Sequence, residues 1–549
     1  MLKKKELPAD YYLKNFEKVT RFCEKTYFDI LQKEEKEFLK AFKQTNIHGR
    51  RLYVRLILRR PTFFRKSKLN YPEIKLGQAI SSLRDSRLLI SEPELSFEEL
   101  LGSFTVPEIK SAVKDLGLKG IKGTRESIVN SLLANSSDEI YRYFFKSDSF
   151  LCPLDFEVVE KLQLLFFGSL TGEMAQFILE DIGVMRFEKV RIDRKNRYFS
   201  DYNHLQTLYE WSYYHSLLWE ACDLKDREEA TLNYKAIKKL QVNCPFLDDH
   251  FSRSHNLIGR FFESTGELTL ARKSYEQSTL PPSRERLARI FLKEAKAKKA
   301  KRMCQLIIED PHSPEEKNFG EFFIENCNRE LGLEYQKRKK HAVLKKEVVS
   351  PLKWNKEYGV EAQVLNDYKE KGLNGFHSES SYFNTLAILL VWKIYWKSGK
   401  GLFFHPFEKG PRDFQSGGFA IRQEKALNRK RNELLKLNNI DFFDLIMKRY
   451  DEKRGTHVHL AEWKKVERRN LAKMIKGIPR EDLLKICFQI IESPRQYRNG
   501  LPDLVVFSRQ KYILTEVKSP NDSIQPSQKK WFDLFSDWGI PYELVRLKR

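Results

Sequence analysis

Gly500-Leu-Pro-Asp-Leu-Val-Val-Phe507, Ser508-Arg-Gln-Lys511 and Tyr512-Ile-Leu-Thr-Glu-Val-Lys518 follow one another near the end of the chain, and their reading decides the fold of its C-terminal part. The first and third segments are rich in β-branched and apolar residues and read as strands; the four residues between them read as a hairpin turn. A symmetric turn of that length pairs Phe507 with Tyr512 and sets Asp503 opposite Glu516. Side chains alternate along a strand, so Glu516 and Lys518 project from one face. Two carboxylates and one ammonium are thereby gathered at one spot.

Each of these groups has a chemical use. Hard carboxylate oxygens suit Mg²⁺ or Mn²⁺, which bind a phosphate oxygen and lower the pKa of an attacking water. Lys518 can orient that water or stabilise charge that builds up on the phosphorus. The Gly-Leu-Pro lead-in is read as fixing the strand entry and letting a nucleic-acid backbone come close. A hairpin with an ordinary Glu–Lys surface pair has the same local pattern, so the flanking sequence has to decide.

Downstream, Glu516-Val-Lys-Ser-Pro-Asn-Asp522 is followed by Gln528-Lys-Lys-Trp531, with Gln528 and Trp531 one helical turn apart on a shared face. With Gly500-Leu-Pro-Asp503-Leu, this run resembles the VRR-NUC nuclease domain of the PD-(D/E)xK superfamily. Upstream, Val360-Glu361, Tyr368, Gly375-Phe-His-Ser-Glu379-Ser and Phe383-Asn-Thr-Leu-Ala-Ile-Leu-Leu-Val-Trp392 resemble the Fanconi-associated nuclease family. So do His405-Pro-Phe-Glu-Lys-Gly-Pro411-Arg-Asp413-Phe with Phe419 and Arg422, and Arg51-Leu-Tyr-Val-Arg-Leu with Phe64-Arg-Lys-Ser-Lys-Leu69-Asn-Tyr71-Pro-Glu-Ile74.

The resemblance implies an α/β restriction-endonuclease-like domain. In it Glu379, Asp503, Glu516 and the main-chain carbonyl of Val517 bind metal, Lys518 assists the nucleophile, and Gln528 lies near the catalytic centre. Without the family, Glu379 is a carboxylate at a helix N-terminus, where the dipole favours it. His377, two residues away, is read as making a structural hydrogen bond, and Trp531, by its bulk, as packing. Ser527 stands where vertebrate-type members have lysine, so a full phosphate-end pocket is not expected. Neither a Cys/His zinc finger nor a long disordered leader precedes the N-terminal helices, which points to a bacterial-type member. His457 and His459 have no partner cluster and are not read as metal ligands.

The composition agrees. The 549 residues are too many for one ordinary core, and with only 25 Gly and 20 Pro the body should be mostly helical. The formal charge of +24 costs stability by self-repulsion and becomes useful against a large polyanion, with DNA read ahead of an anionic membrane surface. The 13% aromatic content, 39 Phe among it, places the cations on folded domains and not in a disordered tail. Seven cysteines (Cys23, Cys152, Cys222, Cys244, Cys304, Cys327 and Cys487) are scattered and never spaced as CxxC, which argues against a disulfide framework and for a reducing compartment. No apolar stretch follows Met1-Leu-Lys-Lys-Lys-Glu, so no signal peptide is expected, and the longest apolar run, Leu386 to Trp392, is too short to span a bilayer.

Ahead of the hairpin the chain reads as helices. Arg51, Arg55 and Arg59 recur every four residues on a helix within Gly49–Arg60, with Leu52, Val54, Leu56 and Leu58 as its buried side and Pro61 as its stop. Phe63-Phe64-Arg65-Lys66-Ser67-Lys68 sets aromatics beside cations. These arginines, with Arg65, Lys66 and Lys68, are candidate phosphate contacts; the alternative is a solvated basic face, and phosphate contact is favoured because the cations line one stripe beside aromatics. Phe104-Thr-Val-Pro-Glu-Ile-Lys opens a helix through Leu116, with Thr105 as N-cap and Pro107 in its first turn. After Gly117-Leu-Lys-Gly-Ile-Lys-Gly-Thr a second helix runs through Leu133. The pair resembles the DNA-backbone-binding SAP module, which makes Lys119 and Lys122 candidate DNA contacts. Further on, Ile258, Gly259, Phe262, Ala271 and Tyr275 are echoed 29 residues later by Leu287, Ala288, Phe291, Ala300 and Cys304, as in stacked hairpins of tetratricopeptide type. Arg495 and Arg498, just before Gly500, could hold the scissile strand or a terminal phosphate.

The reading is a multidomain, predominantly α protein. It has an N-terminal helical DNA-binding region (1–94), a SAP-like module (95–140), a helical repeat region (141–345) and a VRR-NUC domain (346–549). Its function is that of a structure-specific DNA nuclease acting near 5′ flaps or 5′ ends through metal-activated water, in repair that includes interstrand crosslinks. A four-way-junction resolvase, or a DNA-binding scaffold with a decayed nuclease, stands as the other reading. The expected partner is branched or flapped duplex DNA, with no membrane, and the chain is a monomer or homodimer. The expected place is the cytoplasm, associated with the nucleoid, in a bacterium and the nucleus in a eukaryote.

Overall fold

Apolar residues three and four apart build the first helices. In the computed structural model, which describes residues 10–59, 62–170, 186–240, 245–312, 314–335, 347–353, 358–509 and 511–548, helices span Tyr11–Tyr27, Lys33–Gln44, Ile47–Ile57 and Leu76–Asp85. Their inner faces bury Phe16, Phe38, Phe42 and Tyr53, with the rings of Phe16 and Phe42 edge to face at 5.2 Å. Leu52, Val54 and Leu56 are buried as their spacing requires. Leu58 is instead 40% exposed, because the helix ends at Ile57 and Leu58 is its cap. Pro61 lies outside the described residues.

Three short strands also stand where helices alone were expected. They are β1 (Phe64–Arg65), β2 (Leu89–Ser91) and β3 (Phe150–Pro153), antiparallel in the order β1-β3-β2. At two to four residues each they carry too little alternation to be seen in sequence. Between β2 and β3, the helices Val106–Asp115 and Arg125–Ala134 form the expected pair. Thr105 caps the first in a capping box, its N–H donating to Glu108 Oε2 at 2.8 Å. Helices Phe97–Gly102 and Asp138–Lys146 share its core, which buries Leu101, Phe104, Ile109, Leu132 and Phe144.

The chain forms two compact units, Met1–Val184 with Phe199–Gln206, and Met185–Tyr198 with Thr207–Arg549. In the second, helices Pro245–Ser264, Leu268–Tyr275, Ser283–Lys293, Ala297–Glu309 and Pro314–Glu330 follow one another. Small residues sit where they pack. A Cβ on Gly259 would come within 2.8 Å of the Tyr275 ring, and Ala288, Ala300 and Cys304 are fully buried.

The C-terminal part is a five-stranded mixed sheet covered on both faces. Its strands are β4 (Glu347–Lys353), β5 (Asn374–His377), β6 (Leu504–Phe507), β7 (Tyr512–Lys518) and β8 (Tyr542–Lys548), in the order β4-β8-β7-β6-β5. β8 is parallel to β4 and β7, while β6 is antiparallel to β7 and β5. Alternation sorts the side chains: Leu504, Val506, Val517, Val545 and Leu547 pack with Val364 of helix Val360–Glu370. Val505, Leu514, Tyr512 and Leu544 turn to the larger core, where helices Ser381–Tyr395, Arg480–Glu492 and Pro526–Trp538 lie. The apolar run at Leu386 to Trp392 is the buried centre of one of these helices, and among the described residues no helix is long and apolar enough to cross a membrane.

Candidate active site

The hairpin has the register read from its turn. Phe507 pairs with Tyr512 and Leu504 with Thr515, which sets Asp503 opposite Glu516. Asp503 Oδ2 accepts the Val517 N–H at 2.9 Å, and Lys518 Nζ lies 2.9 Å from Glu516 Oε1. Val517 thus enters the site by its N–H. Gln528, in the first turn of its helix, donates from Nε2 to Glu516 Oε1 at 2.5 Å while its Oε1 accepts the Gln525 N–H. One side chain caps the helix and braces Glu516. Trp531, fully buried, packs against Phe535 and Tyr497 and donates to the Asn499 carbonyl.

Gly500 makes this approach possible. Its φ is +86°, and a Cβ there would lie 2.7 Å from the Ser527 carbonyl carbon and 2.9 Å from the Gln528 nitrogen. The close backbone neighbour that requires glycine is therefore the helix carrying Gln528. This corrects the expectation of a place kept open for a nucleic-acid backbone: the space over Gly500 is filled from within the fold.

Burial sets the electrostatics. Glu516 is 1% exposed, and burial with the neighbouring Asp503 charge pushes its pKa up to about 8 against the pull of Lys518. Asp503 is raised by burial as well, countered by the Val517 N–H. Glu516 Oε2 is buried with no hydrogen-bond partner. A buried carboxylate oxygen without a donor, beside a second carboxylate, is a place where a cation would relieve a standing penalty. The donor set fits a divalent ion.

A second gathering shares Asp503. Ligand atoms of Glu361, His377 and Asp503 all lie within 4.8 Å of one another. Sequence reasoning did not single out Glu361 as a ligand and read His377 as structural; the only signal was their place in the upstream pattern. Glu379 is at the turn after β5, with φ +44°, and its N–H donates to the Asp503 carbonyl at 3.1 Å beside that of Ser378 at 2.7 Å. Its carboxylate is 53% exposed, 3.9 Å from Lys465, and stands outside the Glu361–His377–Asp503 group. Arg546 of β8, not foreseen, ties the turn after Lys518 by donating to the Ser519 and Asp522 carbonyls. Tyr368 bonds Glu543, which also accepts from Thr515 on β7 at 2.7 Å.

Two family models match the chain: FAN1, HTH domain, over residues 10–89, and VRR-NUC domain, over residues 442–548. The Fanconi-associated nuclease 1 homolog of Pseudomonas aeruginosa is 25% identical over 97% of this chain and 94% of its own length. Over nearly its whole length the chain is similar to Fanconi-associated nucleases. The human Fanconi-associated nuclease 1 is 24% identical over 98% of this chain, which spans 62% of the human protein. The crystal structure of paFAN1 bound to 2nt 5′flap DNA with gap superposes with a TM-score of 0.81 at 23% identity, covering 99% of each chain, and so shares the fold. The family and the donor set together imply a divalent metal.

The candidate DNA contacts fall into two kinds. Arg51 bonds Asp10 and the Glu73 carbonyl, and Arg55 bonds Glu73 and lies over the Tyr12 ring at 3.9 Å. Arg59, beyond the helix end, lies over Tyr71 at 5.5 Å. Arg65 is held between Asp148 at 3.0 Å and Glu108 at 2.9 Å, its side chain 9% exposed, and keeps the Glu108 carboxyl far below the usual range. Lys68 also pairs with Glu108. Phe64 is buried in β1, so it is core and not an anchor for nucleic acid. By contrast Lys66, Lys119, Lys122, Arg495 and Arg498 are exposed and make no ion pair among the described residues. His457 and His459 are half-buried and held neutral, with pKa values lowered to about 4 by desolvation; His459 Nδ1 lies 2.7 Å from the Tyr395 hydroxyl.

Proposed function

We propose that this chain is a structure-selective DNA nuclease that hydrolyses a phosphodiester bond near a 5′ flap or 5′ end. The observation that carries this is the pairing of Asp503 with Glu516 across the hairpin, with Lys518 at 2.9 Å and a buried Glu516 oxygen left without a donor. The 5′-flap DNA held by paFAN1, at the same fold, supports the substrate class.

Asp503 and Glu516, with the Val517 carbonyl and Glu379, are the proposed metal holders, and Mg²⁺ or Mn²⁺ the proposed ion. When bound, such an ion supplies Lewis acidity toward the phosphate and acidifies water. The residues of the chain do the rest. Gln528 fixes the Glu516 carboxylate through Oε1 and leaves Oε2 free for the metal, and Lys518 holds the attacking water or its transition-state charge. Lys119, Lys122, Arg495 and Arg498 have free charge for DNA phosphates, with the 95–140 helices as a SAP-like grip and 141–345 as a repeat scaffold. A role in repair, interstrand crosslinks included, in the nucleoid-containing cytoplasm of a bacterium or a eukaryotic nucleus, follows by family analogy.

The test is cleavage of an end-labelled 5′-flap duplex with Mg²⁺ or Mn²⁺ against EDTA, beside Glu516→Gln. Metal-dependent cutting near the junction, lost in the variant, is the expected result. Tight binding without cutting on flaps, forks or junctions would favour a DNA-binding scaffold.

A further inference from the structure

A cavity of about 540 Å³ opens where helix Asn439–Lys453 begins and where helix Arg468–Gly477 gives way to Arg480–Glu492. On its wall, Gly477 presses against Phe507, whose ring a Cβ would run into, so the cavity lies toward the end of β6 away from Asp503. The lining is largely aliphatic. Ile475 and Ile478 are buried beneath it, and Ile440 stands at the mouth, 73% exposed. A single exposed isoleucine is ordinary on a protein surface, but this one borders a hollow within the roughly 300–1,000 Å³ range of ligand pockets. Charge is the second observation. Lys476 and Arg480 line the cavity and no carboxylate does. Both cations are held in place. Arg480 donates to the Leu435 carbonyl at 3.1 Å, to the Leu437 carbonyl and to the Asn439 side chain, and lies over the Phe442 ring at 5.1 Å. Lys476 lies over the Phe443 ring at 4.6 Å. Neither forms an ion pair among the described residues, whereas Lys430 and Arg431 on the neighbouring helix are spent on Glu433 and Glu492.

An aliphatic hollow with two fixed cations and no anion on its wall is complementary to a ligand that carries both an apolar group and negative charge. Nucleic acid has the charge but not the fit. Bases bind such surfaces by stacking on open aromatic faces, and here Phe442 is 2% exposed and Lys476 covers the Phe443 ring. We propose that this cavity is a docking site for an acidic peptide of another protein. One large apolar side chain of the peptide seats against Ile440, Ile475 and Ile478, and its carboxylates lie beside Lys476 and Arg480. Burial of that side chain supplies most of the affinity, and the cations set orientation and salt dependence. The site is separate from the nuclease centre and does not rest on the reading of that centre.

The experiment is fluorescence anisotropy of the full chain with a labelled peptide of four aspartates followed by leucine and phenylalanine. Two control peptides replace the aspartates by lysine, or the two apolar residues by serine. The acidic–apolar peptide is expected to bind, and each control to bind about tenfold more weakly or worse. Ile440→Asp and Lys476→Glu, both exposed and checked for folding by circular dichroism, should each weaken the acidic–apolar peptide by about tenfold or more. Cleavage of a 5′-flap duplex by both variants should stay within about twofold of wild type, since the cavity lies away from Asp503. No binding, or binding indifferent to Ile440 and Lys476, overturns the proposal. So does displacement of the peptide by oligothymidylate, which assigns the cavity to nucleic acid, or self-association in sedimentation equilibrium that Ile440→Asp abolishes, which assigns it to a second copy. The two readings fail separately. Peptide binding by a chain that cuts no flap upholds this site and sinks the nuclease reading, while metal-dependent cleavage without peptide binding sinks this site alone.

Discussion

Gly500 and Ser527 meet backbone to backbone: a Cβ on the glycine would stand 2.7 Å from the serine carbonyl carbon. That contact seats the helix bearing Gln528 against the strand entry bearing Asp503, and so joins two parts of the site separated in sequence. Gly500→Ala meets both a left-handed φ of +86° and a backbone clash, with no flexible side chain to give way. A loss of about 1–3 kcal/mol in chemical denaturation is expected, together with weaker metal binding as Gln528 is moved off Glu516. Unchanged metal affinity would separate the contact from the site.

Lys518 counters the burial of Glu516. With Lys518→Met the ammonium 2.9 Å from Oε1 is gone, and the Glu516 pKa moves up from about 8. The carboxylate is then charged only at higher pH. Flap cleavage at neutral pH should drop by roughly 10²–10³-fold, and the rising limb of its pH profile should move to higher pH. A rate loss with the profile unmoved would assign Lys518 to transition-state charge alone.

The basic residues divide by partner. Arg65→Met leaves Asp148, its side chain 5% exposed, without its cation, while Glu108 keeps Lys68, and should destabilise the fold by about 3–5 kcal/mol in urea. Lys119→Ala and Lys122→Ala should leave stability unchanged and reduce the salt slope of DNA binding by roughly one for each phosphate that is no longer neutralised. If Arg65→Met changes only the salt slope, its ion pairs are not what holds β1 in place.

His250 gives the pH dependence a sign. It is 6% exposed, both ring nitrogens lack partners, and burial reinforced by Arg253, Arg412 and His215 lowers its pKa to about 3. A depressed folded-state value means stability that is present above about 6.5 and lost as pH falls toward 3, because the unfolded chain takes the proton first. His250→Phe keeps the edge-to-face contact with Trp211 and removes the unpaired nitrogens. It should gain about 1 kcal/mol at neutral pH and flatten the acid limb of a denaturation profile. An acid limb identical to wild type would place the titration elsewhere.

What the sequence determined by itself was local. The four-residue turn and two-residue alternation were enough for the Phe507–Tyr512 register and for Glu516 and Lys518 on one face, because strand geometry allows no other arrangement once the turn is set. Thr105 as N-cap and Pro107 in the first turn announced a helix start, because a side-chain acceptor and a residue without an N–H both suit the unpaired first turn. The tertiary structure decided what meets across distance. Arg65 reads as a cation beside aromatics, and only the sheet that brings Asp148 to it, 83 residues on, turns it into a buried structural ion pair. His377 and Glu361 read as bystanders until β5 pairs with β6 and the helix Val360–Glu370 packs against β5, which brings both to Asp503. Spacing along the chain fixes which side chains share a face, but which faces meet depends on strand order and helix packing, and these follow from the free energy of the whole core.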